Sequence, residues 1–425
     1  MRRRTFIGTM GAGTAWTLAP NLIRGAEAHP TDAVQVLFPS GRSLGYFPNV
    51  TGPRLVADDE DAPAVLIHSV SDTVLHRSGR KLSLGSLARA RMVTDSDGVI
   101  HVAGLRDDGL WLVRVTKSGK PTATQLATFP EPHPAAGLDV AWTAEGLRII
   151  GPGPTPRTMA VYTDKPEAKP LVLTIHAPVH PLLRYDAGRH RLHAVFCPWN
   201  DYSAIYDTVY YLRSDDHGAS WLKSDGSKHE LPLQPTAREH GFERPRPEPI
   251  SITGQPAGGH SNTLAHCLDL DADGHPHLLY TFNRPYHLAR EPFMRCVHIC
   301  WDGAKWSLDN WDGSKWKSGE LSADFSMDVA GGCLDIVDRK TIRALLMFKD
   351  RKSLWLDLGI ASSNDGGKTW SAIKPITTDS GPKAAHYVAP SWVRRGTDYD
   401  FVCAGFNKGP EAPVYRGTIP AHLFA

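Results

Sequence analysis

The sequence predicts an all-β fold, a β-propeller of seven blades that are each a four-stranded antiparallel sheet. The composition points to β structure, because 38 Gly, 33 Pro and 12 Trp in 425 residues favour short strands and tight turns over helix bundles or βαβ units. An eight-residue turn motif occurs twice, and a looser unit of a turn followed by an apolar strand recurs along the chain. Such repetition is typical of propellers.

The strongest element is the pattern S-x-D-x-G-x-x-W, found at residues 214–221 and 363–370. Each copy follows a short apolar run that reads as a strand. In such a turn the Asp carboxylate accepts backbone N–H groups, the Gly takes a positive φ and the Trp folds under the loop. We therefore expect structural roles for Asp216 and Asp365.

The weaker unit, a turn followed by an apolar strand, sets the number of blades. It occurs at residues 97–102, 145–150, 188–195, 273–280 and 341–346, and a W-D-G-x-K-W hairpin occurs at 301–306 and 311–316. Spacings of about 45 to 85 residues suit four-stranded blades with variable insertions. Six or seven blades fit, and we expect seven. No Pro- or Ser-rich linker divides the chain, so residues 29–425 read as one domain.

Residues 1–28 have the features of a twin-arginine signal peptide. Three arginines at residues 2–4 precede a short apolar run, and A-E-A at residues 26–28 fits cleavage after Ala28. The apolar run is short for a permanent anchor, although an N-terminal membrane anchor is the alternative. We expect export to the periplasm or secretion, with no membrane attachment once the signal is removed.

The charge balance limits the classes of partner. Lys and Arg number 47 against 45 Asp and Glu, a net charge of +2, so no basic field indicates nucleic acid. A closed propeller exposes no sheet edge, and we therefore expect a monomer.

The six cysteines leave two interpretations open. Cys296, His298 and Cys300, with His266 and Cys267 upstream, could hold a structural metal ion. The usual two-Cys knuckle spacing is absent, however, and alternate residues of one strand share a face. We therefore favour core filling, predict no cofactor and leave disulfide pairing open.

From about residue 185 onward the chain resembles the BNR-4 type of Asp-box propeller, a sialidase-like family. The matching features, in order, are the first repeat with its flanks at residues 210–226 and 230–233, the turn at residues 273–274, the C-W-D-G-A-K-W hairpin at 300–306 and the second repeat. That family includes polysaccharide lyases acting on ulvan and propellers acting on rhamnose–glucuronate linkages. The resemblance implies a polysaccharide lyase that cleaves a uronic-acid-containing polysaccharide by β-elimination.

The lyases of this family use a His or Tyr base to take the C5 proton and an Arg to neutralise the uronate carboxylate. Their first histidine lies in an early blade, in an H-[DN]-x-P-like segment. The matching stretch here is residues 85–93, G-S-L-A-R-A-R-M-V. It contains no histidine, so the sequence departs from the family at this point.

A comparable pattern lies later, at residues 259–264, G-H-S-N-T-L. We predict His260, Tyr280 and Arg284 as the catalytic residues, because they supply a titratable base, a phenol and a fixed cation. His260 would enter an inner strand, and the other two would lie near the far end of the next strand, facing a central funnel. A funnel histidine bonded to a backbone carbonyl is the alternative for His260.

Further polar residues are predicted to bind substrate. They are Arg244 and Arg246 on a Pro-rich loop, Asn283 and Tyr286 beside Arg284, and His386 and Tyr387 ahead of Trp392. His68, His76 and Arg54, around an early hairpin, are additional candidates.

Two other functions remain compatible with the sequence. One is an exo-glycosidase, rhamnosidase- or sialidase-like. The Arg-Ile-Pro motif of sialidases is absent, however, and the sequence does not identify the pair of catalytic carboxylates that glycosidases use. The other is a non-catalytic glycan-binding propeller, since Trp side chains stack on sugars in lectins too. In each case the expected partner is an acidic oligosaccharide or polysaccharide.

Overall fold

The computed structural model describes residues 35–41, 54–58, 63–68, 72–118, 120–130, 137–175, 179–200, 205–206, 208–235, 245, 247–250, 262–283, 294–307, 327–350, 355–378, 380, 386–406 and 412–424. The predicted signal peptide at residues 1–28 lies outside these ranges. Within them, no helix has the length and apolar character needed to cross a membrane.

Seven antiparallel sheets follow one another along the described chain, and we number them as blades 1 to 7. The first strand, β1 (Gln35–Gly41), belongs to the last blade. Blade 1 contains β2 (Arg54–Val56), β3 (Ala64–His68), β4 (Thr73–Arg77) and β5 (Arg80–Ser83). Blade 2 contains β6 (Ala88–Thr94), β7 (Ile100–Arg106), β8 (Gly109–Val115) and β9 (Thr122–Thr128). Blade 3 contains β10 (Asp139–Thr143), β11 (Gly146–Pro152), β12 (Met159–Thr163) and β13 (Leu171–Thr174).

The second half of the ring is built from longer strands. Blade 4 contains β14 (Val179–Asp186), β15 (Arg191–Asn200), β16 (Ile205–Tyr206), β17 (Tyr210–Ser214) and β18 (Glu248–Pro249). Blade 5 contains β19 (Asn262–Leu270), β20 (Pro276–Asn283) and β21 (Met294–Cys300). Blade 6 contains β22 (Met327–Ile336), β23 (Ile342–Asp350), β24 (Asp357–Ser363) and β25 (Lys374–Pro375). Blade 7 contains β26 (His386–Arg395), β27 (Asp398–Phe406) and β28 (Ala412–Ile419) with β1, and a 3₁₀ turn (Ala421–Phe424) follows.

The ring is closed by the pairing of the first and last strands. β1 runs antiparallel to β28, with Gln35 opposite Arg416 and Gly41 opposite Ala412. The first strand of each blade contacts the first strand of the next, and β26 contacts β2. The seven-bladed propeller predicted from the sequence is confirmed, with an extra short strand in blade 4 and three strands among the described residues of blade 5.

The core consists of seven apolar clusters, one at each interface between neighbouring blades. Successive strand residues alternate between two clusters because side chains alternate across a strand. In β20, for example, Leu278 and Tyr280 pack towards blade 4 and Leu279 towards blade 6. This double burial explains why the strands read as continuous apolar runs.

The strand order defines two ends of the propeller. The first strand of each blade begins at what we call the upper end and finishes at the lower end, where the turn to the second strand lies. Because the strands alternate in direction, the turns between third and fourth strands also lie at the lower end. Both S-x-D-x-G-x-x-W motifs are such turns, after β17 and β24.

The first motif is held together by its own side chains. The Asp216 carboxylate accepts the Ser220 N–H (2.8 Å) and the Ser220 hydroxyl (2.6 Å), and it also accepts the Ser214 hydroxyl (2.8 Å). Gly218 takes φ 97° and donates its N–H to Ser214 Oγ (2.7 Å). Trp221 is 1% exposed in the cluster between blades 3 and 4.

The second motif repeats these contacts closely. Asp365 accepts the Thr369 N–H (2.9 Å), the Thr369 hydroxyl (2.6 Å) and the Ser363 hydroxyl (2.8 Å). Gly367, at φ 84°, donates to Ser363 Oγ (2.8 Å). The two turns are therefore one structural device used twice.

Removing either carboxylate should destabilise the fold. We expect Asp216→Ala and Asp365→Ala each to lower the free energy of unfolding by about 1 to 2 kcal/mol, because each leaves several donors without their acceptor. Urea unfolding followed by tryptophan fluorescence measures this change. Asp97→Ala, at an exposed turn residue, is the control and should change stability by less than about 0.5 kcal/mol. Equal midpoints for all four proteins would contradict the structural role.

Candidate functional site

A cavity of about 500 Å³ lies on the propeller axis and is lined by the first strands of all seven blades. Its wall contains three arginines, Arg54 on β2, Arg91 on β6 and Arg184 on β14. One carboxylate, Asp139 on β10, lies 3.9 Å from the Arg91 side chain and 3.7 Å from that of Arg184. Asp139 also accepts the Leu183 N–H (2.8 Å), so its oxygens are shared among several donors.

The arginines raise the local positive potential. The pKa of Arg91 is lowered well below its usual value by burial and by the nearby guanidiniums of Arg54, Arg89 and Arg184, and Asp139 only partly opposes this. Burial lowers the pKa of Arg54 as well. Crowded cations that are out of water favour a bound anion, because an anion would compensate their desolvation. The part of the axial cavity beside these arginines is therefore suited to a negatively charged group.

A β-bulge in β6 sets the position of Arg89 in this cluster. Ala88 pairs with Leu105 and Arg91 with Ala103, so one residue of β6 is extra. Arg89 lies in the bulge with φ 57°, a left-handed conformation that costs a non-glycine residue of the order of 1 kcal/mol. Bulges of this kind redirect a side chain near functional sites, and here the redirected side chain is a half-buried guanidinium.

His180 and Tyr206 form a hydrogen-bonded pair at the same end of the propeller. His180 is the second residue of β14, and Tyr206 lies on β16, which pairs with the far end of β15. The Tyr206 hydroxyl is hydrogen-bonded to His180 Nε2. Tyr206 is 6% exposed and His180 is 9% exposed. Gly137 makes room for the ring, since a Cβ there would lie 2.8 Å from His180 Nδ1.

Both members of the pair are held in their neutral forms. Burial lowers the pKa of His180 to about 3, with repulsion from Arg89 and then Arg91 as further causes. Burial raises the pKa of Tyr206, and the nearby Arg89 charge moderates that shift. A neutral imidazole accepts a proton and a neutral phenol donates one, so the pair contains a base and an acid next to a cation.

A second buried histidine faces the same arginines from blade 1. His68 ends β3, and its Nδ1 lies 3.4 Å from the Thr73 hydroxyl. Burial lowers the pKa of His68 to about 3, followed by repulsion from Arg91 and Arg54. The group therefore spans blades 1 to 4, with a neutral histidine on each side of the arginines.

Other polar groups line the cavity further along the axis. His266 lies in a bulge of β19 and its Nε2 is 2.7 Å from Thr281 Oγ1. Burial raises the pKa of Asp269, against the effect of Arg184. Nearer the lower end, Asp335 accepts the Tyr399 hydroxyl (2.5 Å) and lies 3.6 Å from the Arg394 guanidinium.

Most of the residues predicted from the sequence to form the site lie outside the described residues. These are His260, Arg284, Arg244, Arg246 and Tyr286, and their roles stay predictions. Asn283 ends β20, with its backbone opposite Asn262, and His386 and Tyr387 begin β26, with His386 opposite Phe406. All three backbone positions are at the upper end, as expected for a site there, and their roles stay predictions.

Tyr280 is the predicted catalytic residue whose side chain the structure describes. It is 0% exposed and packs in the apolar cluster between blades 4 and 5, whereas we had expected it to face the funnel. The side chain turns inward because it shares the face of β20 that carries Leu278.

Sequence reasoning missed the group that the described residues do form. Arg89 and Arg91 lie in the very stretch singled out for lacking a histidine, while His180 and Tyr206 come from blade 4, about 90 and 115 residues further along. His68 and Arg54 were noted only as additional candidates. Their position in the strand pattern could have identified these residues, because they lie at the upper ends of first and second strands, where propeller cavities open.

The possible metal ligands also have definite positions. Cys296 is buried in the cluster between blades 5 and 6, and His298 Nε2 lies 2.9 Å from His277 Nδ1. All six cysteines are described and none forms a disulfide. At the lower end, ligand atoms of Asp271, Asp273 and His275 lie within 4.8 Å of one another; that trio is compatible with a cation, but Asp273 is already paired with Arg339.

No protein-family model matches the chain, and no curated protein matches it. Among solved structures, the fold is similar to a polysaccharide lyase PL25 ulvan lyase with a TM-score of 0.64 at 14% identity, covering 90% of this chain and 94% of that chain. The same lyase bound to -[GlcA(1-4)Rha3S]- gives 0.63 with the same identity and coverage. Polysaccharide lyase Uly1 gives 0.54 at 8% identity, covering 87% and 89%. At these identities the likeness establishes the shared fold, and membership of the BNR-4 family stays a prediction.

The buried neutral histidines should make the fold sensitive to acid. The unfolded chain takes up protons near pH 6.5, whereas folded His180 and His68 resist protonation down to about pH 3. Their contribution to stability is therefore complete above pH 6.5 and is lost as the pH falls towards 3. We expect each histidine to lower the free energy of unfolding by up to about 2 kcal/mol as the pH falls from 6.5 to 5.

Urea unfolding at about pH 7.5 and pH 5 measures this loss. His180→Gln should reduce the difference between the two pH values by about 1 to 2 kcal/mol. His190→Gln, at an exposed histidine in the same blade, should leave the difference unchanged. An identical pH dependence in His180→Gln and the original protein would show that His180 is not held neutral by burial.

Proposed function

We propose that the chain is an exported polysaccharide lyase that cleaves a uronic-acid-containing polysaccharide by β-elimination. The observation that carries the proposal is the hydrogen bond between the neutral His180 imidazole and the Tyr206 hydroxyl beside Arg89 and Arg91. Base, acid and cation are the three groups that this reaction requires. We further propose that the protein acts as a monomer in the periplasm or outside the cell.

The arginines account for the choice of substrate. A uronate carboxylate placed against Arg89 and Arg91 would be neutralised, which makes the C5 proton of the same sugar more acidic. The crowding that lowers the pKa of Arg91 would be relieved by that anion. A neutral sugar would offer no such compensation, so the site favours an acidic polysaccharide.

The histidine becomes a better base when the substrate binds. Repulsion from Arg89 and Arg91 is part of what lowers the pKa of His180, and a carboxylate between them would cancel that repulsion. Removal of the C5 proton is thereby coupled to correct placement of the carboxylate.

The proton balance closes within the pair. When O4 of the substrate is in place, the Tyr206 hydroxyl turns its proton from His180 Nε2 to O4, which frees the Nε2 lone pair. His180 Nε2 then takes the C5 proton, the C5–H electrons form the C4=C5 double bond, and the C4–O4 bond breaks. The Tyr206 hydroxyl gives its proton to the leaving O4. Transfer of the proton from protonated His180 to the Tyr206 oxygen along their hydrogen bond then restores both residues, so no outside acid or base is needed.

The fold similarity supports this reaction class by analogy. The PL25 ulvan lyase structure is bound to -[GlcA(1-4)Rha3S]-, a sugar unit with a carboxylate and a sulfate, which is the charge that an arginine cluster would attract. His260, Arg284 and the remaining predicted binding residues stay proposals for the upper end, where they could contact the polymer on either side of the reacting sugar.

Substitution within the pair should abolish elimination. The unsaturated uronate product absorbs at about 235 nm, and we expect Tyr206→Phe, His180→Gln and Arg89→Gln each to lower kcat by at least about 100-fold. The absorbance assay is run with purified protein on a panel of uronic-acid polysaccharides. Tyr162→Phe, which removes a buried hydroxyl bonded to the Pro152 carbonyl in blade 3 (2.6 Å), is the matched control and should retain activity.

Other outcomes of the same assay separate the alternatives. Full activity in Tyr206→Phe combined with loss in His260→Ala and Arg284→Ala would move the catalytic centre to the residues predicted from sequence. Release of reducing ends without absorbance would show a glycosidase. Binding of the polysaccharide with neither signal would leave a glycan-binding propeller.

A further inference from the structure

A second cavity, of about 640 Å³, opens at the lower end between blades 4, 5 and 6. Its walls come from turns between first and second strands and between third and fourth strands. Those segments all lie at the opposite end of the propeller from His180 and Arg89. The cavity is therefore separate from the proposed catalytic site.

A buried histidine with an unused nitrogen lies in the wall of this cavity. His193, on β15, is 1% exposed, and its Nδ1 lies 2.7 Å from the Tyr211 hydroxyl. Its Nε2 is buried without a hydrogen-bond partner. If the Tyr211 hydroxyl donates to Nδ1, as a phenol does to a neutral imidazole, then Nε2 carries a proton and is a donor without an acceptor. A buried donor left in this state costs about 1 to 3 kcal/mol.

Four arginines also line the cavity: Arg189, Arg191, Arg213 and Arg339. Carboxylates fix several of them in place, as Arg191 Nε bonds to Asp215 (2.6 Å) and Arg189 Nη1 bonds to Asp186 (3.2 Å). An arginine has five N–H donors, so those not used by these carboxylates can serve a ligand. The anchored side chains lose little conformational entropy when a ligand binds.

The charge in the wall is nearly balanced, which defines how a ligand would be recognised. Asp225 and Asp273 also line the cavity, and Asp215 is close behind Arg191. Recognition here would depend on directed hydrogen bonds rather than on net charge. Fixed guanidinium groups bind planar oxyanions through paired bonds.

The wall of the cavity also contains an indole. Trp301, which is half-buried, lies in the wall together with Gly303 and Gly274, two residues without side chains. Trp rings stack on the apolar faces of sugars. Guanidinium donors and an indole in the wall of one cavity are the two components that a charged sugar requires.

We propose that this lower cavity is a second binding site for the polysaccharide, which takes a sugar carrying a carboxylate or a sulfate group with its oxyanion against His193 Nε2 and Arg191. The choice of an acidic sugar rests on the proposed function, whereas the cavity and its unused donor do not. The site holds the polymer and performs no chemistry. It keeps the chain of sugars near the protein after a cut at the upper end, which raises the effective concentration of substrate.

Titration calorimetry on the full-length Tyr206→Phe protein tests the proposal, because that variant should bind without cleaving. The probe is a hexasaccharide of alternating glucuronate and rhamnose 3-sulfate, and its carboxyl-reduced and desulfated forms show which oxyanion is bound. We expect two hexasaccharides per chain. Adding Arg191→Gln and Arg339→Gln should weaken one of the two sites at least tenfold, and His193→Gln should do the same.

Controls separate this proposal from the proposed function. Arg339 is 68% exposed, so its substitution should leave the fold intact even if His193→Gln is unstable. Arg80→Gln, at an exposed arginine in blade 1, should leave both sites unchanged. Two sites without any absorbance at about 235 nm in the unsubstituted protein would remove the lyase and keep the lower site. One hexasaccharide per chain, lost on Arg89→Gln and unaffected by Arg191→Gln with Arg339→Gln, would overturn the lower site.

Discussion

Closure of the ring by β1 and β28 is the constraint on which the rest of the structure depends. Once seven blades form a circle, seven first strands face one axis, and any side chain they direct there leaves bulk water. Apolar residues tolerate this placement, whereas charged ones must find partners. Around the axis the chain places Arg54, Arg91 and Arg184 near the carboxylate of Asp139. Ring closure, which buries seven apolar interfaces, supplies the stability that lets such a crowded group of cations exist.

Bulges in the first strands adapt this regular framework to chemistry. Register shifts occur in β6, β19, β22 and β26, and the first of them places Arg89 in a left-handed conformation. A regular strand would direct that side chain along the pleat. The strained bulge brings the Arg89 guanidinium close to His180 and Tyr206. There its charge helps to lower the pKa of His180, and it reduces the rise that burial causes in the pKa of Tyr206. Local strain and long-range electrostatics are thus two parts of one arrangement.

The fold was predictable from the sequence because its signals are local. The turns at Asp216 and Asp365 are specified within eight residues each, and their hydrogen bonds close inside the motif. The site is different, since His180, Tyr206 and Arg89 come from separate blades and meet only through ring closure and an unpredictable bulge. Sequence reasoning joined neighbours along the chain and therefore favoured Tyr280, whose position in the strand alternation turns it into the core. Spacing predicts which residues share a strand face, but it does not predict which blades face each other across the axis.

The two ends of blade 4 carry the same pair of side chains in different electrostatic settings. At the upper end His180 and Tyr206 lie beside Arg89, and the charges of Arg89 and Arg91 lower the pKa of His180. At the lower end His193 and Tyr211 lie beside arginines that carboxylates anchor one by one, as Asp215 anchors Arg191. An anion that binds against Arg89 and Arg91 would raise the proton affinity of His180, because it would oppose the two charges that lower the pKa of that histidine. An anion at the lower end meets arginines whose charges are balanced by carboxylates, and it changes the proton affinity of His193 little. The same histidine–tyrosine pair is therefore suited to moving a proton at one end and to holding a ligand at the other.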